Sequence, residues 1–203
     1  MYRILDLIIS YRYSLIKVLL FEIFYIILGY KGNKFINRNR SLTTDTIPCP
    51  YLFLYKIVKD ISKLNIKSIT DIGCGNGRAI NFFNKKLDLK LYGYEIFSDS
   101  FDFCIKFFKN NKNIKIYNTN FFNLDHVKGE IDCYFINDPI KDLHAHHKLF
   151  GKLLNSLNSR RKIVYFILVN MTPNKLETFK NLSLISSYRA GKKGYHIVKL
   201  NNQ

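Results

Sequence analysis

Acidic side chains are scarce in this 203-residue chain: 15 aspartates and glutamates stand against 32 lysines and arginines, a net charge of +17. A field of that sign favours anionic partners, whether nucleic acid, acidic lipid head groups or phosphorylated substrates. Paired cysteines are also missing. Cys49, Cys74, Cys104 and Cys133 are isolated, without a Cys-x-x-Cys pair, which argues against a disulfide or zinc framework and for a reducing, cytoplasmic compartment. Neither internal repeats nor low-complexity stretches are present, and no cleavable signal peptide is read at the start. The longest apolar run, residues 18–28, is interrupted only by Glu22 and falls short of the ~20 residues a bilayer-crossing helix needs.

What is present is enough apolar material for a folded domain. Hydrophobic residues make up 47% of the chain and aromatic ones 15%, a composition that excludes disorder as the overall state. From residue 67 onward, strand-like and helix-like segments alternate. Strands are expected at 68–72, 89–95, 114–118, 131–136 and 162–169, and helices at 78–86, 99–110, 141–158 and 173–180. Strands separated by helices pack as a parallel, doubly wound α/β sheet. Two last strands, 182–188 and 194–200, are joined only by residues 190–194, so they must be antiparallel. The expectation is a seven-stranded, mostly parallel sheet with a terminal antiparallel hairpin.

The first strand runs into Asp71-Ile72-Gly73-Cys74-Gly75-Asn76-Gly77-Arg78. Glycines spaced by single residues permit positive φ and leave no side chain between backbone and ligand. The N–H groups of the loop and of the following helix then face whatever is bound. A dinucleotide fingerprint would need glycine where Arg78 stands, and a P-loop would need Lys-Ser/Thr after Gly77. At the end of the second strand Glu95 lies 18 residues beyond Gly77, where a carboxylate can accept both hydroxyls of an adenosine ribose.

The loop, with an acidic residue two positions before a Gly-x-Gly-x-Gly turn, resembles the first motif of class I S-adenosylmethionine-dependent methyltransferases. Seen as a whole, residues 46–200 resemble small bacterial members of that class. The resemblance implies S-adenosylmethionine as cofactor, bound by Asp71, Gly73, Cys74, Gly75 and Gly77, with Glu95 on the ribose. It further implies that Asn120 meets the adenine amino group and that Phe121 stacks on the ring. After the fourth strand the chain reads Asn137-Asp138-Pro139-Ile140. Amino-methylating members carry a second proline and an aromatic residue there. Their absence argues against a base amino group as acceptor and leaves a small molecule, a glycan or a protein lysine. Asp138, then Asn137, are the candidates to hold or take the proton of the nucleophile. Segment 46–51 corresponds to one that lies against the cofactor in the class, with Thr46 or Tyr51 nearest.

His144, His146 and His147 follow on the next helix, where a solvent-facing helix is the preferred reading over proton transfer, and metal ligation is not expected for want of a second cluster. Residues 1–30 read as one long helix, with 1–40 as an N-terminal segment and linker and 41–203 as the α/β domain. Seven basic and two acidic residues in 1–40 leave two readings of the helix: an anchor lying on the inner face of an anionic membrane, or a helix packed on the core or a partner. Nucleic acid is the less favoured partner, and the oligomeric state is not legible.

Overall fold

In the computed structural model, residues 8–32, 47–123, 131–158 and 163–200 are described. Short runs rich in β-branched and aromatic side chains form seven strands: β1 (Ser68–Ile72), β2 (Lys90–Glu95), β3 (Ile114–Asn118), β4 (Cys133–Ile136), β5 (Val164–Val169), β6 (Ser183–Ala190) and β7 (Lys193–Leu200). They lie in one sheet in the order β3-β2-β1-β4-β5-β7-β6. The first five are parallel, and β7 pairs antiparallel with both β5 and β6. The expected sheet is thus the observed one. Its last turn is tighter than anticipated, because β6 runs to Ala190 and only Gly191 and Lys192 join it to β7.

Helices cover both faces: α1 (Leu15–Ile27), α2 (Tyr51–Ile61), α3 (Arg78–Lys86), α4 (Ser98–Phe108), α5 (Leu143–Asn158) and the single-turn α6 (Pro173–Leu176). The expected helix over 173–180 is therefore α6 followed by a 3-10 turn, Glu177–Phe179. Side-chain alternation along β5 shows how the two layers are built. Phe166 and Leu168 pack with Phe150, Leu153 and Leu157 of α5. Ile167 and Val169 point the other way, into a core shared with Leu54 and Ile57 of α2 and Phe82 and Phe83 of α3.

The N-terminal segment is not one uninterrupted helix. Residues 8–11 are helical, Arg12–Ser14 form a 3-10 turn, and α1 follows. The cause lies far away in sequence. The Ser10 carbonyl accepts the Lys192 N–H at 2.7 Å from the turn between β6 and β7, and Arg12 takes a φ of 47°. A Cβ on Gly191 would meet that same Ser10 oxygen at 2.3 Å, so only glycine lets the hairpin seat there.

α1 is fixed to the domain by a polar contact inside an aromatic cluster. Tyr25 of α1 packs against Tyr30, Tyr51 and Phe82 with centroids 5.0–5.1 Å apart. Pro50 occupies the position just before α2, leaving the Tyr51 N–H without an intrahelical acceptor. Glu22 Oε1 accepts that N–H at 2.8 Å, and Glu22 Oε2 accepts from Arg78 Nη1, also at 2.8 Å. Arg78 Nη1 reaches the Cys49 carbonyl as well, at 3.0 Å, and its guanidinium lies 4.2 Å from the Tyr51 ring centroid. Truncation of Glu22 leaves a nearly buried guanidinium without its counter-charge. Glu22→Ala is expected to cost ~2–3 kcal/mol, lowering the melting temperature by roughly 5–10 °C in a domain of this size; an unchanged melting temperature would show that the pair contributes nothing.

Candidate functional site

In an open α/β sheet, ligands settle beyond the carboxyl ends of the strands where the strand order reverses. Here that point lies between β1 and β4, with β2 alongside. A cavity of about 740 Å³ opens there, walled by the glycine loop, the ends of β2 and β4, residues 119–122 after β3, the start of α5 and segment 47–49. Its size falls within the range of small-molecule and cofactor sites, about 300–1,000 Å³.

The loop is shaped by its own backbone. The N–H groups of Gly73 and Cys74 both donate to the Tyr94 carbonyl, at 2.9 and 3.0 Å, which pins the loop to the end of β2. Gly73, Gly75 and Gly77 have φ of 78°, 53° and 72°, in the left-handed region that glycine adopts without penalty. Glu95 closes the arrangement: its Oε2 accepts the Gly75 N–H at 2.7 Å and its Oε1 the Phe97 N–H at 2.9 Å. These bonds orient the carboxylate at the cavity wall. Asp71, one strand over, is 3% exposed. Burial, and then the neighbouring Glu95 charge, push its carboxyl well above the ordinary carboxylate range. Two carboxyl groups thus converge on one wall, an arrangement that suits a ligand bearing positive charge and hydroxyl donors.

Of the residues singled out in the sequence, Asp71, Gly73, Cys74, Gly75, Glu95, Asn120, Phe121 and Asn137 line the cavity together. The Cys74 thiol is buried, and a hydrogen bond to Cys104 and burial push its pKa up. Asn120 Oδ1 accepts the Phe122 N–H at 3.1 Å, bracing its own turn. Phe121 is 5% exposed and stands edge-on to Tyr94 and Tyr134, so it belongs to the core as well as to the cavity wall. Asn137 links two elements: its Nδ2 donates to the Ile47 carbonyl at 2.9 Å, and its Oδ1 accepts from Asn170 Nδ2 at 3.0 Å.

Two of the residues face elsewhere. Asp138, at a φ of 43°, is not on the cavity wall; its carboxylate accepts Lys175 Nζ, which also donates to the Ile140 carbonyl. Burial raises the Asp138 pKa, and Lys175 opposes that rise. Gly77 packs backward, where a Cβ would meet Phe108 of α4 at 2.7 Å and Cys104 at 3.1 Å. Thr46 lies outside the described residues, while Tyr51 is buried beneath Arg78. Its neighbours Ile47, Pro48 and Cys49 supply the wall that the sequence reading assigned to that stretch.

The histidines divide by helix face. His144 is exposed. His146, by contrast, is buried against Phe150 with its Nε2 at 3.2 Å from the Lys175 carbonyl, and burial lowers its pKa to about 4, keeping the ring neutral. His147 Nδ1 meets Thr178 Oγ1 at 2.7 Å. Among the described residues no group of three His, Cys, Asp or Glu side chains converges as a metal site. Sequence reading missed Arg78, which it noted only as a missing glycine; the one available signal was Glu22, a lone carboxylate in an apolar helix. Because Gly77 combines a left-handed φ with a contact on Phe108, Gly77→Ala is expected to destabilise the fold by roughly 2–3 kcal/mol; chemical denaturation checks this, and an unaltered midpoint would contradict it.

Comparison with family models and with curated proteins yields no match for the chain. Solved structures do match in shape. An rRNA methylase from Streptococcus thermophilus superposes with a TM-score of 0.55 at 15% identity, covering 74% of this chain and 97% of that one. A SAM-dependent methyltransferase from Aquifex aeolicus gives 0.51 at 15% identity over 72% and 88%. A geranyl diphosphate methyltransferase, solved with GPP and sinefungin, gives 0.54 at 10% identity over 74% and 77%. With its strand order, reversed β7 and loop-bound cavity, the chain has the fold of the class I S-adenosylmethionine-dependent methyltransferases.

Proposed function

We propose that the chain binds S-adenosylmethionine in this cavity and transfers its methyl group to a small molecule, a glycan or a protein lysine. The observation that carries this reading is Glu95, buried at the end of β2 and hydrogen-bonded to the Gly75 N–H of the loop. That pair puts a ribose acceptor beside a backbone cradle at the switch point of the sheet. The residues present fit the group: carboxylates for a cationic, hydroxyl-bearing ligand, a glycine loop open to close approach, and apolar walls at Ile96, Phe97 and Phe121 for a base.

When bound, the cofactor supplies a methyl group already activated on a sulfonium, so the chain has to orient two reactants in line and manage one proton. Glu95 would accept the ribose hydroxyls, and the Gly73–Gly75 backbone would hold the amino-acid end. The carboxyl groups of Asp71 and Glu95 would favour a ligand that carries positive charge over a neutral one. Asn120 and Phe121 would hold the base. At the end of β4 the Asn137 amide, steadied by Asn170 and by Ile47, addresses the acceptor. Asp138, on the same turn but off the cavity wall, holds the turn's geometry through Lys175 and would take the acceptor's proton only on leaving that partner and turning into the cavity. Ile140 and Lys141 stand where amino-methylating enzymes carry a second proline and an aromatic cover, which supports an acceptor other than a base amino group.

Two outcomes test the reading. Loss of a charge-assisted pair of hydrogen bonds costs ~1.5–3 kcal/mol, so Glu95→Ala is expected to weaken S-adenosylmethionine binding by about tenfold to a hundredfold in calorimetry; equal affinity would overturn the cofactor assignment. Labelled methyl transfer into fractionated lysate then separates acceptor classes, and binding without transfer in any fraction would indicate a cofactor-binding module. The second outcome concerns pH. The free protein holds the Asp71 carboxyl well above its ordinary value, whereas a bound cation favours the carboxylate. Binding therefore releases a proton, and affinity rises with pH until Asp71 of the free protein is ionised, then levels off. Calorimetry in buffers of different ionisation heat should show this release in the wild type and its loss in Asp71→Asn; a pH-independent affinity would sink the linkage.

A further inference from the structure

We propose that the outward face of α1 is a docking surface for an anionic lipid bilayer, on which the helix lies flat. The proposal holds whether or not the cavity takes S-adenosylmethionine. On α1 and just beyond it, Ile16, Leu20, Ile23, Phe24, Ile27 and Leu28 are each 50–77% exposed. Only Val18 and Tyr25 of the helix are buried. An apolar helix with so little of its circumference covered is not a finished surface; such patches mark contact with a protein or a membrane.

Charge selects between those partners. The one acidic residue of α1, Glu22, is turned inward and engaged by Tyr51 and Arg78, so the outward face carries no negative charge. Lysines collar it instead. Lys17 is exposed on the helix itself. Lys85 and Lys86 of α3 sit over the rings of Tyr30 and Tyr25 at 4.1 and 5.9 Å. Lys59 of α2 lies 5.4 Å from the Tyr55 ring, itself 5.4 Å from Phe21 of α1. A second copy of the chain would bring two such lysine-collared patches together, since a two-fold interface uses the same patch on both subunits. An anionic bilayer complements both parts at once, taking the apolar face below its head groups and the lysines among them. Crossing is not required, and no described helix is long and apolar enough for it.

The chain has no tryptophan, so Ile23→Trp installs a single reporter at an exposed position without disturbing the core. Its emission is expected to shift to the blue on adding vesicles of phosphatidylcholine mixed with phosphatidylglycerol, and to stay put with phosphatidylcholine alone. In sedimentation, the wild type should pellet with the mixed vesicles, less so as salt rises. Leu20→Glu/Ile27→Glu should pellet at least about tenfold less, with an unchanged melting temperature. No blue shift and no pelleting with mixed vesicles would overturn the proposal, as would equal pelleting of the double variant. A wild-type dimer that the double variant converts to monomer, with neither binding vesicles, would assign the face to a second copy instead. Calorimetry with S-adenosylmethionine on the same samples keeps the two assignments apart, since the double variant should bind it like the wild type.

Discussion

Arg78 stands at the meeting point of three segments that sequence alone leaves unconnected. It opens α3 directly after the glycine loop, donates to the carbonyl of Cys49 at the cavity wall, and pairs with Glu22 of α1 across the Tyr51 ring. Its side chain is 8% exposed and that of Glu22 is 22% exposed, so the pair is largely shielded from water. A pair in such a place adds little net stability relative to apolar residues of the same shape, but it is costly to break and it tolerates only one geometry. That property matters here more than its strength. It sets the register of α1 on α2, and through Cys49 it sets the height of the wall that faces the loop.

The cavity is organised on a different physical basis. Asp71 and Glu95 are brought to the ends of adjacent parallel strands, and both are almost fully buried. Two buried carboxyl groups side by side oppose each other's ionisation, and the backbone N–H groups of Gly75 and Phe97 hold one of them in place. The recess therefore presents two closely spaced carboxyl groups, a chemistry that complements positive charge.

Much of this was legible in the sequence, and the exceptions have a common cause. β1 and β3 were read to the residue because each is a short run of strand-forming side chains ended by a turn-forming cluster. The placement of the loop beside Glu95 was legible because it depends on spacing along one βαβ unit. What escaped was set by partners remote in sequence. The break at Arg12 answers to Lys192. The orientation of Asp138 answers to Lys175, and the burial of His146 to Phe150 and Phe179. Gly77 was read only as part of a ligand loop, and its missing side chain also makes room for Phe108. In each case local pattern identified the residue type and a tertiary contact decided its use.

The seat that Gly191 gives to the Ser10 carbonyl joins nearly the first described residue to nearly the last. During synthesis the N-terminal segment leaves the ribosome long before the hairpin that receives it exists, and a chain grows at only ~5–20 residues per second. For that interval of seconds its apolar side chains have no native partner at β6 and β7. The contact between the Ser10 carbonyl and the Lys192 N–H therefore forms only once nearly the whole chain has been made.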